Sequence, residues 1–462
     1  MKSSRFIFII TCLLYSAGCT DFLNVKPQGK IIPKTEEEYA AVLNYRLNNL
    51  ESGTYDQILN NGELIAKYEA YADDLNANIT IGNLPIYAGT EFNKNYGIYK
   101  DLYAIIKDCN IIIEAMSGFS SDHSKQLAAA ATGIKGACYY NLMRNYCKAY
   151  DPATADKELG LVIMDRFDLD LTPERSDLKT TADFVVSTLE AAISYGITDD
   201  KYLFTADVCK AFLAKALFWA EEWDKALDVC QELAEKYPLA SRDEYASVIN
   251  AEYNKGKGII IRSRINNNNS SSASIRGQAV SDMRSRPVSY ELIRLYDPED
   301  IRLTTFFTSS RKNQKEPFGR IRASEIQLMM AECHAHMGEP QSALAVLNGL
   351  RAQRIKDYTE YTMENLPEVD TEAMIKVDAT GKPLTKLTQA ILNERRMEMC
   401  MEGDRWFELK RNGGPEFTII TDAIGIWQKY TMKTYMYTFP INKDDVDLKD
   451  YLKQNEGYEE YL

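Results

Sequence analysis

Two pairs of acidic residues have a spacing at which carboxyl groups could perform chemistry. Asp73-Asp74 and Asp168-x-Asp170 each bring two carboxyl groups close together, as hydrolysis of a glycosidic bond requires. The chain contains 67 acidic residues, however, and acids in polar segments are usually solvated side chains without a chemical task. We therefore interpret both pairs as solvated loop acids and keep a surface glycoside hydrolase as an alternative.

Metal and nucleophile chemistry lack a suitable arrangement of residues. The chain has three histidines, of which His334 and His336 follow Cys333 in a helical stretch. Residues two apart point to different faces of a helix, so the two imidazoles cannot easily bind one ion. The sequence contains no G-x-S-x-G, H-E-x-x-H, P-loop or dinucleotide-binding glycine pattern. We predict no catalytic residue, no metal site and no cofactor.

Two segments offer a different chemistry, because they mix aromatic, amide and arginine side chains. Sugar binding uses flat aromatic faces against the sugar rings and Asn, Asp or Arg side chains for the hydroxyls. The first segment contains Tyr87, Phe92, Asn93 and Tyr96, and the second contains Arg264, Asn266, Arg276, Arg284 and Tyr290. Of these, the predicted ligand-binding residues are Tyr87, Phe92, Asn93, Tyr96, Asn266, Arg276 and Arg284. Ordinary loop packing is the competing interpretation for each of them. The arginines leave room for an acidic sugar or a peptide.

The elements that must position these segments are predicted to be helices. Residues 213–227 align with residues 330–344 at an offset of 117, and both read as helix, short turn, helix with small alanines at the contact. This pattern is typical of tetratricopeptide hairpins, which bury their faces by stacking on neighbours. We predict a mainly all-α fold, a tetratricopeptide-like scaffold of helical hairpins interrupted by insertions.

The predicted boundaries follow from these patterns. The hairpins are expected at about 93–150, 179–240, 322–356 and 384–411, and loop-rich ligand-facing insertions at about 73–95 and 256–320, within one domain spanning 35–462.

Smaller signals complete the layout. Thr35 and Glu38 predict a capping box, and residues 57–71 predict a second helix. Residues 256–261 predict a short strand, and the Asn/Ser run at 266–272 predicts a surface loop.

The beginning of the chain is typical of an exported lipoprotein. A short basic region precedes an apolar run at residues 6–15 and Ser-Ala-Gly before Cys19. We predict that residues 1–18 are a lipoprotein signal peptide, that Cys19 is acylated, and that residues 19–34 are a tether. Ser16 occupies a position where leucine is usual, so an ordinary signal peptide without a lipid is the alternative.

Charge and cysteine content limit the partners further. The formal net charge is −13, and removal of residues 1–18, which hold two basic and no acidic residues, makes it 52 − 67 = −15. Such a surface argues against nucleic acid and against charge-driven binding to anionic lipid. Most of the cysteines lie in apolar helical stretches, which predicts buried core positions; a disulfide is possible but spacing cannot name it.

The segment 393–411 alternates acidic residues and arginines at helical spacing. Its glutamates, with Glu398 in the middle, stand one turn apart beside arginines, which predicts ion pairs along the first helix. Gly403 is suited to end that helix and Asp404 to cap the next. We predict a helical corner around a buried Trp406, with a structural role.

This segment, E-R-R-x-E-x-x-x-E-G-x-R-W-x-E-L-x-R, resembles the most recurrent motif of the SusD/RagB family of outer-membrane nutrient-binding lipoproteins from Bacteroidetes. Further similar segments follow the family's order along nearly the whole mature chain. They are Cys19-Thr20-Asp21-Phe22-Leu23, Tyr96-x-x-Tyr99 with Asn110, Asp300-Ile301-Arg302, the stretch 322–332, Phe439-Pro440-Ile441 and Gln454-Asn455-Glu456-Gly457-Tyr458. Tryptophan is more usual where Tyr96 stands.

The resemblance implies a helical scaffold and a function in nutrient capture. Members of this family bind an oligosaccharide, or in some cases a peptide, at the cell surface and deliver it to a TonB-dependent, SusC-like outer-membrane transporter. They are not enzymes. We therefore expect a lipid-anchored, oligosaccharide-binding protein of the outer membrane. The alternatives are a peptide-binding member, a lipid-anchored protein-interaction scaffold and the hydrolase considered above.

Overall fold

The computed structural model describes residues 33–52, 56–75, 98–168, 170–250, 256–263, 270–423, 426–447 and 452–458. Within these ranges the protein is mainly helical, as predicted. The α-helices are α1 Glu36–Ser52, α2 Gly62–Tyr71, α3 Ile98–Met116, α4 Asp122–Tyr146, α5 Leu178–Ser194, α6 Ala206–Trp219, α7 Trp223–Lys236, α8 Arg242–Asn250, α9 Ser270–Arg284, α10 Tyr290–Ile293, α11 Ile301–Phe306, α12 Ala323–His336, α13 Pro340–Ala352, α14 Lys386–Glu398, α15 Arg405–Arg411 and α16 Lys443–Asp447. Short 3-10 helices lie at Asp200–Tyr202 and Thr434–Tyr437.

The strands form three separate antiparallel pairs within the described residues. They are β1 Leu159–Val162 with β2 Arg175–Asp177, β3 Ile259–Arg262 with β4 Arg320–Arg322, and β5 Phe417–Ala423 with β6 Ile426–Met432. In the last pair Phe417 lies opposite Met432 and Ala423 opposite Ile426. The strand predicted at 256–261 is β3, which begins three residues later than the prediction.

Successive helices pack side by side from α3 to α7, and α7 then packs on α12, which contacts α13 and α14. The two segments predicted to repeat are the hairpins α6–α7 and α12–α13. The first helices of the two hairpins begin 117 residues apart (323 − 206), and so do the second helices (340 − 223). The turns match as well, because Glu221 (φ 59°) and Gly338 (φ 78°) stand at the same offset in left-handed conformations. The tetratricopeptide assignment itself stays a prediction.

The insertion at 256–320 contains more regular structure than predicted. It holds β3 and the helices α9, α10 and α11. Ser270 begins α9, so residues 270–272 of the Asn/Ser run are helical. The prediction of a surface loop is wrong for these three residues. Serine is tolerated in the first turn of a helix, where its hydroxyl competes least with backbone pairing. Residues 264–269 lie outside the described part.

The first two helices begin at defined caps. The hydroxyl of Thr35 accepts a hydrogen bond from the Glu38 N–H at 3.3 Å, and the Glu38 carboxylate accepts one from the Thr35 N–H at 3.2 Å, so the predicted capping box is confirmed. Helix α2 begins at Gly62 and not at residue 57. The Asn61 side chain accepts a hydrogen bond from the Leu64 N–H at 2.9 Å, and this cap starts the helix after the turn at 57–60.

Helix α4 lies at the centre of the array and is buried along most of its length. Two glycines allow its neighbours to approach closely. A Cβ atom at Gly133 would lie 2.6 Å from the Cys209 sulfur, and one at Gly136 would lie 2.7 Å from the Leu189 side chain. Because core atoms are close-packed, alanine at either position would push α5 or α6 away.

Side chains predicted to be buried are buried. Trp406 is fully buried and stacks on Phe439, with ring centroids 5.7 Å apart. The cysteines of the described residues are buried and unpaired, namely Cys109, Cys138, Cys147, Cys209, Cys230, Cys333 and Cys400.

The corner at 393–411 uses its charges differently from the prediction of ion pairs along one helix. Glu394 and Glu398 are fully buried and face cations from other elements. The side chains that reach the Glu398 carboxylate are those of Arg302, Arg322 and Arg354. The local prediction is wrong because a carboxylate turned toward the core needs a partner that also faces the core.

The caps of this corner also differ from the prediction. The C-cap of α14 is Met399, and Gly403 lies later in the turn with φ 76°, where its N–H donates to Glu69 at 2.7 Å. Asp404 stands at the N-cap position of α15, as predicted, but its side chain makes no capping hydrogen bond. Its carboxylate accepts two hydrogen bonds from Arg395, at 2.9 and 2.8 Å, which tie the two helices together.

Candidate ligand-binding surface

The predicted binding residues are distributed unevenly over the described structure. Arg284 and Tyr290 lie within it, at the end of α9 and the start of α10. Arg276 lies on α9, although its side chain is outside the description. The residues that lie wholly outside the described ranges are Tyr87, Phe92, Asn93, Tyr96, Arg264, Asn266 and the proposed lipid site Cys19.

The two predicted ligand-facing segments meet at one place. Leu75, the last described residue before 76–97, forms an antiparallel bridge with Val288, and the Ser289 N–H donates to the Asp74 carbonyl oxygen at 2.7 Å. The last described residue of the first segment, Leu75, therefore lies beside Val288, two residues before Tyr290. Residues more than 200 positions apart are brought together by backbone pairing that local sequence patterns do not reveal.

The start of the first segment is held by the family motif. The Arg405 guanidinium donates two hydrogen bonds to Asp73, at 2.7 and 2.8 Å, and Arg396 donates to Asp74 at 2.8 Å. Bidentate arginine–carboxylate pairs fix orientation as well as distance. The helical corner at 393–411 thus anchors the backbone of Asp73 and Asp74, next to the bridge between Leu75 and Val288.

These contacts correct the interpretation of Asp73 and Asp74 as solvated loop acids. Burial pushes the pKa of Asp73 up, but the Arg405 and Arg396 guanidinium groups outweigh it and hold that pKa below its ordinary value. The pKa of Asp74 is raised, chiefly by burial and also by the charge of Asp73. Carboxylates enclosed by arginines in this way are not available to a substrate. Asp168, in contrast, pairs loosely with Arg166 at 3.3 Å on the surface.

Tyr290 is the most exposed large hydrophobic side chain of the described residues, at 66%. The Arg311 guanidinium lies 3.6 Å from the centre of its ring, a distance typical of stacking. Arg311 also donates to the Val288 carbonyl oxygen, and the Val288 N–H donates to the Arg311 carbonyl oxygen at 2.9 Å. One face of the ring is therefore covered by a positioned cation, and the other is open to solvent.

The loop that carries Arg311 is backbone-strained. Phe307 pairs with Asn313 across a tight turn, and Arg311 adopts φ 62° within it. A left-handed arginine costs roughly 1 kcal/mol relative to glycine. The predicted Arg284 joins the same surface, because it is exposed and its Nε donates to the Asn313 carbonyl oxygen at 3.0 Å. We name the exposed side chains of Arg284 and Tyr290, together with the half-buried Arg311, the Tyr290 surface.

Sequence reasoning missed Arg311. The available signal was the polar run at 308–314 between two phenylalanines, which marks an exposed loop in the second ligand-facing insertion. That signal does not single out one of the two basic residues of the run. The stacking on Tyr290 depends on the pairing of Val288 with Arg311 and is visible only in the fold.

A more enclosed apolar cleft of about 260 Å³ lies elsewhere, along α3. Two of its three aromatic residues are engaged in packing, whereas Phe167 is 37% exposed and so less accessible than Tyr290. Tyr99 is 7% exposed and contacts Tyr103 and Tyr146, while the Tyr103 hydroxyl donates to the Val162 carbonyl oxygen at 2.7 Å. Because sugar rings need an accessible aromatic face, the cleft fits the predicted ligand less well than the Tyr290 surface.

The histidines take separate partners. His334 contacts Glu339 at 2.6 Å, whereas His336 stacks on Trp223 with ring centroids 4.2 Å apart. The two imidazoles are therefore used in different places, as their spacing predicts.

Two protein-family models match this chain. Residues 242–458 match the model of the SusD family, and residues 21–216 match a second model, described as starch-binding and associating with the outer membrane. Together the two matches span most of the sequence. None of the curated proteins searched matches the chain.

Solved structures share the architecture at low sequence identity. A SusD superfamily protein from Bacteroides fragilis aligns with a TM-score of 0.71 at 18% identity, covering 92% of this chain and 100% of its own. A putative sugar-binding protein from Bacteroides vulgatus gives 0.69 at 20%, covering 93% and 100%. Surface glycan-binding protein A from Bacteroides uniformis gives 0.62 at 14%, covering 91% and 99%. Two successive family models and a fold shared over nearly the full length of these proteins lead to one conclusion: this chain belongs to the SusD/RagB family.

Proposed function

We propose that this protein binds a nutrient oligosaccharide at the cell surface and delivers it to a SusC-like TonB-dependent transporter. In this proposal residues 1–18 are removed, and acylated Cys19 anchors the protein to the outer membrane through the tether at 19–34. No helix in the described part of the chain has the length and apolar character needed to cross a membrane. The sugar-binding and glycan-binding names of structural relatives support the ligand class.

The observation that carries the proposal is the open ring face of Tyr290 beside the Arg311 guanidinium. A sugar ring can stack on the free face through its axial C–H groups, while the Arg311 guanidinium on the opposite face holds the tyrosine ring in position. Because Arg311 already lies against the ring, these groups lose little freedom when ligand binds. Because Leu75 bridges Val288 near this surface, we propose that the segment that follows Leu75 in sequence supplies further contacts, from Tyr87, Phe92, Asn93 and Tyr96.

Charge bears on the kind of sugar. Arg284 and Arg311 make their hydrogen bonds to carbonyl oxygens, and neither forms an ion pair with a carboxylate of the described residues. Two such cations on one surface favour ligands that carry some negative charge, within a protein whose net charge is strongly negative. Acidic sugars are therefore the first ligands to examine, alongside neutral glycans.

Binding without hydrolysis is supported by the state of the candidate acids. Asp73 and Asp74 are enclosed by Arg396 and Arg405, so they cannot act as the acid and nucleophile of a glycosidase. We infer that the protein captures its ligand intact.

The direct test is isothermal titration of the full chain, solubilised in detergent. The probes are soluble α-glucan, β-glucan, mannan and xylan oligosaccharides, polygalacturonate fragments, and a tryptic digest of casein. We expect at least one glycan to bind, and Tyr290→Ala to weaken that binding by about tenfold or more, since stacking contributes roughly 1–3 kcal/mol per ring.

A matched control is Tyr195→Ala, which removes another exposed tyrosine, at the end of α5. It should leave the affinity unchanged. Binding of casein peptides with no binding of any glycan would overturn the oligosaccharide assignment. Glycan binding that Tyr290→Ala leaves intact would overturn the assignment of the surface but not of the ligand class.

A further inference from the structure

A second concavity with features of a ligand site lies between α1 and α3. It has a volume of about 210 Å³, and none of the residues of the Tyr290 surface line it. The side chains that matter for its chemistry are Tyr45, Arg46, Asp56, Gln57 and Asp101. Two of these residues are unusual for their type: Tyr45 is an exposed aromatic residue, and Asp56 is a buried acidic residue.

Tyr45 is the exposed one. At 63% exposure its ring stands at the lip of the concavity and also borders a shallower one of about 420 Å³ on α1. The Arg46 guanidinium lies 5.5 Å from the centre of the ring, and Arg46 is held by two hydrogen bonds to Asp108, at 3.0 and 2.6 Å. An aromatic ring thus separates two adjoining concavities beside a fixed group of N–H donors.

Asp56 is the buried one. Only 2% of it is exposed, and its Oδ1 accepts hydrogen bonds from the Ile58 and Leu59 N–H groups at 2.7 and 3.1 Å. Its Oδ2 is buried without a hydrogen-bond partner. Burial raises the pKa of Asp56 to about 7, despite the two backbone N–H groups that lower it. A buried oxygen without a partner destabilises the folded protein, and a hydroxyl group of a ligand would supply the missing donor.

The rest of the lining narrows the ligand class. Asp101 lies in the same concavity and accepts a hydrogen bond from Gln57 at 3.2 Å, so the polar lining includes two carboxylates and one arginine that is already paired. Anions are therefore disfavoured. A metal ion would need more oxygen ligands than this, and the described residues contain no cluster of three suitable side chains. A neutral molecule with several hydroxyl donors and a flat apolar face fits these groups.

We propose that this concavity is a second carbohydrate-binding site, in which a neutral sugar ring stacks on Tyr45 and donates a hydroxyl to Asp56 Oδ2. The proposal takes its ligand class from the proposed function but does not depend on the Tyr290 surface. Its volume is suited to a single ring, and neighbouring units of an oligosaccharide can continue past Tyr45 into the shallower concavity. The two sites differ in charge, so the second one prefers neutral units.

Asp56→Asn separates a binding role from a structural one. The asparagine oxygen can still accept the two backbone hydrogen bonds, while an amide replaces the unpartnered oxygen with a donor. If Oδ2 serves only the fold, this change removes a poorly solvated carboxylate and affects stability alone. If Oδ2 serves a ligand, affinity falls by about tenfold or more, while the melting temperature is unchanged or higher.

The experiment titrates the detergent-solubilised full chain with neutral glucan, mannan and xylan hexasaccharides, comparing wild type with Tyr45→Ala, Asp56→Asn, Tyr290→Ala and Tyr195→Ala. We expect wild type to show two classes of binding sites. Tyr45→Ala should abolish one class and Asp56→Asn should weaken it, whereas Tyr290→Ala should leave that class unchanged. Tyr45→Trp, which preserves a stacking face, should retain that class. Tyr45 is exposed, so its variants test the site even if Asp56→Asn folds poorly.

The failures are distinguishable. If wild type binds a hexasaccharide and neither Tyr45→Ala nor Asp56→Asn changes the titration, the second site is wrong and the proposed function stands. If Tyr290→Ala removes all binding, the second site is wrong as well. If wild type binds none of the neutral hexasaccharides, the proposal of a second site is wrong. The proposed function is wrong as well only if the polygalacturonate fragments also do not bind.

Discussion

Arg302 and Glu398 form an ion pair of 3.0 Å in which both side chains are completely buried. The same arginine contacts Asp300 and Glu394, each at 2.7 Å, and the same glutamate receives the guanidinium of Arg354 at 3.0 Å. Burial pushes the pKa of Glu398 up, but the surrounding arginines, Arg354 first, hold it well below its ordinary value. This network joins the second ligand-facing insertion to the corner that also anchors Asp73 and Asp74.

Glu398→Gln should therefore be strongly destabilising. The change keeps the shape of the side chain but leaves three buried guanidinium groups around an uncharged amide. We expect the free energy of unfolding to fall by roughly 3–5 kcal/mol, as when one partner of a buried ion pair is removed. Urea unfolding followed by circular dichroism measures this loss.

The control for that experiment is Asp183→Asn. It breaks the exposed pair of Asp183 with Lys179, which is 2.7 Å long, and screening by water should make its effect negligible. Equal losses for the two variants would contradict the role we assign to burial.

Glu69 should make the folded protein less stable as the pH rises, which is the opposite of ordinary acid unfolding. Burial, assisted by the charge of Asp74, raises the pKa of Glu69 to about 8. The folded protein holds this proton up to about pH 8, whereas the unfolded chain releases it near pH 4.5. The contribution of Glu69 to stability is therefore present at low pH and is lost as the pH rises between these values.

Glu69→Gln should remove this loss. We expect the variant to gain on wild type by roughly 1–3 kcal/mol between pH 5 and pH 8, with little difference at the lower pH. Unfolding free energies of both proteins, measured at half-unit intervals of pH, give the difference. Parallel curves for the two proteins would show that Glu69 titrates normally in the fold.

Arg311→Gly tests whether the strained turn serves the ligand. Glycine relieves the left-handed backbone by roughly 1 kcal/mol, which about offsets the lost hydrogen bond to Val288. We therefore expect a nearly unchanged melting temperature together with about tenfold weaker glycan binding. Arg311→Lys keeps the positive charge but lacks the planar guanidinium, so its glycan affinity should lie between those of wild type and Arg311→Gly. A variant that melts much lower with normal affinity would assign Arg311 to the fold alone.

Cys19→Ala tests the proposed anchor. None of the described helices is long and apolar enough to cross a membrane, so the variant without acyl chains should move from the membrane pellet to the soluble fraction on ultracentrifugation of lysed cells. Cys12→Ala is the matched control, because residue 12 lies in the segment predicted to be removed, and it should still pellet. Pelleting of the Cys19 variant would rule out the lipid anchor.

The helical corner shows what local sequence can predict. Helical spacing and the position of Trp406 are local properties, so the turn and the burial of the indole were predicted correctly. The partners of Glu398 were predicted wrongly, because Arg302 lies 96 residues away and reaches it only once the insertion packs on α14. For the same reason Asp73 and Asp74 were interpreted as solvated, although two arginines more than 320 residues away enclose them.

The sequence by itself determined the helical hairpins, their 117-residue repeat and the family motif, because periodicity, caps and small contact residues act within a few turns of chain. Only the tertiary structure decided which side chains became the Tyr290 surface. Arg311 stacks on Tyr290 because Val288 pairs with both Leu75 and Arg311, and no spacing along the chain encodes that pairing. Likewise, Tyr45 and Asp56 border one concavity because α1 packs on α3. The proposed ligand contacts therefore depend on long-range packing, which no local motif encodes.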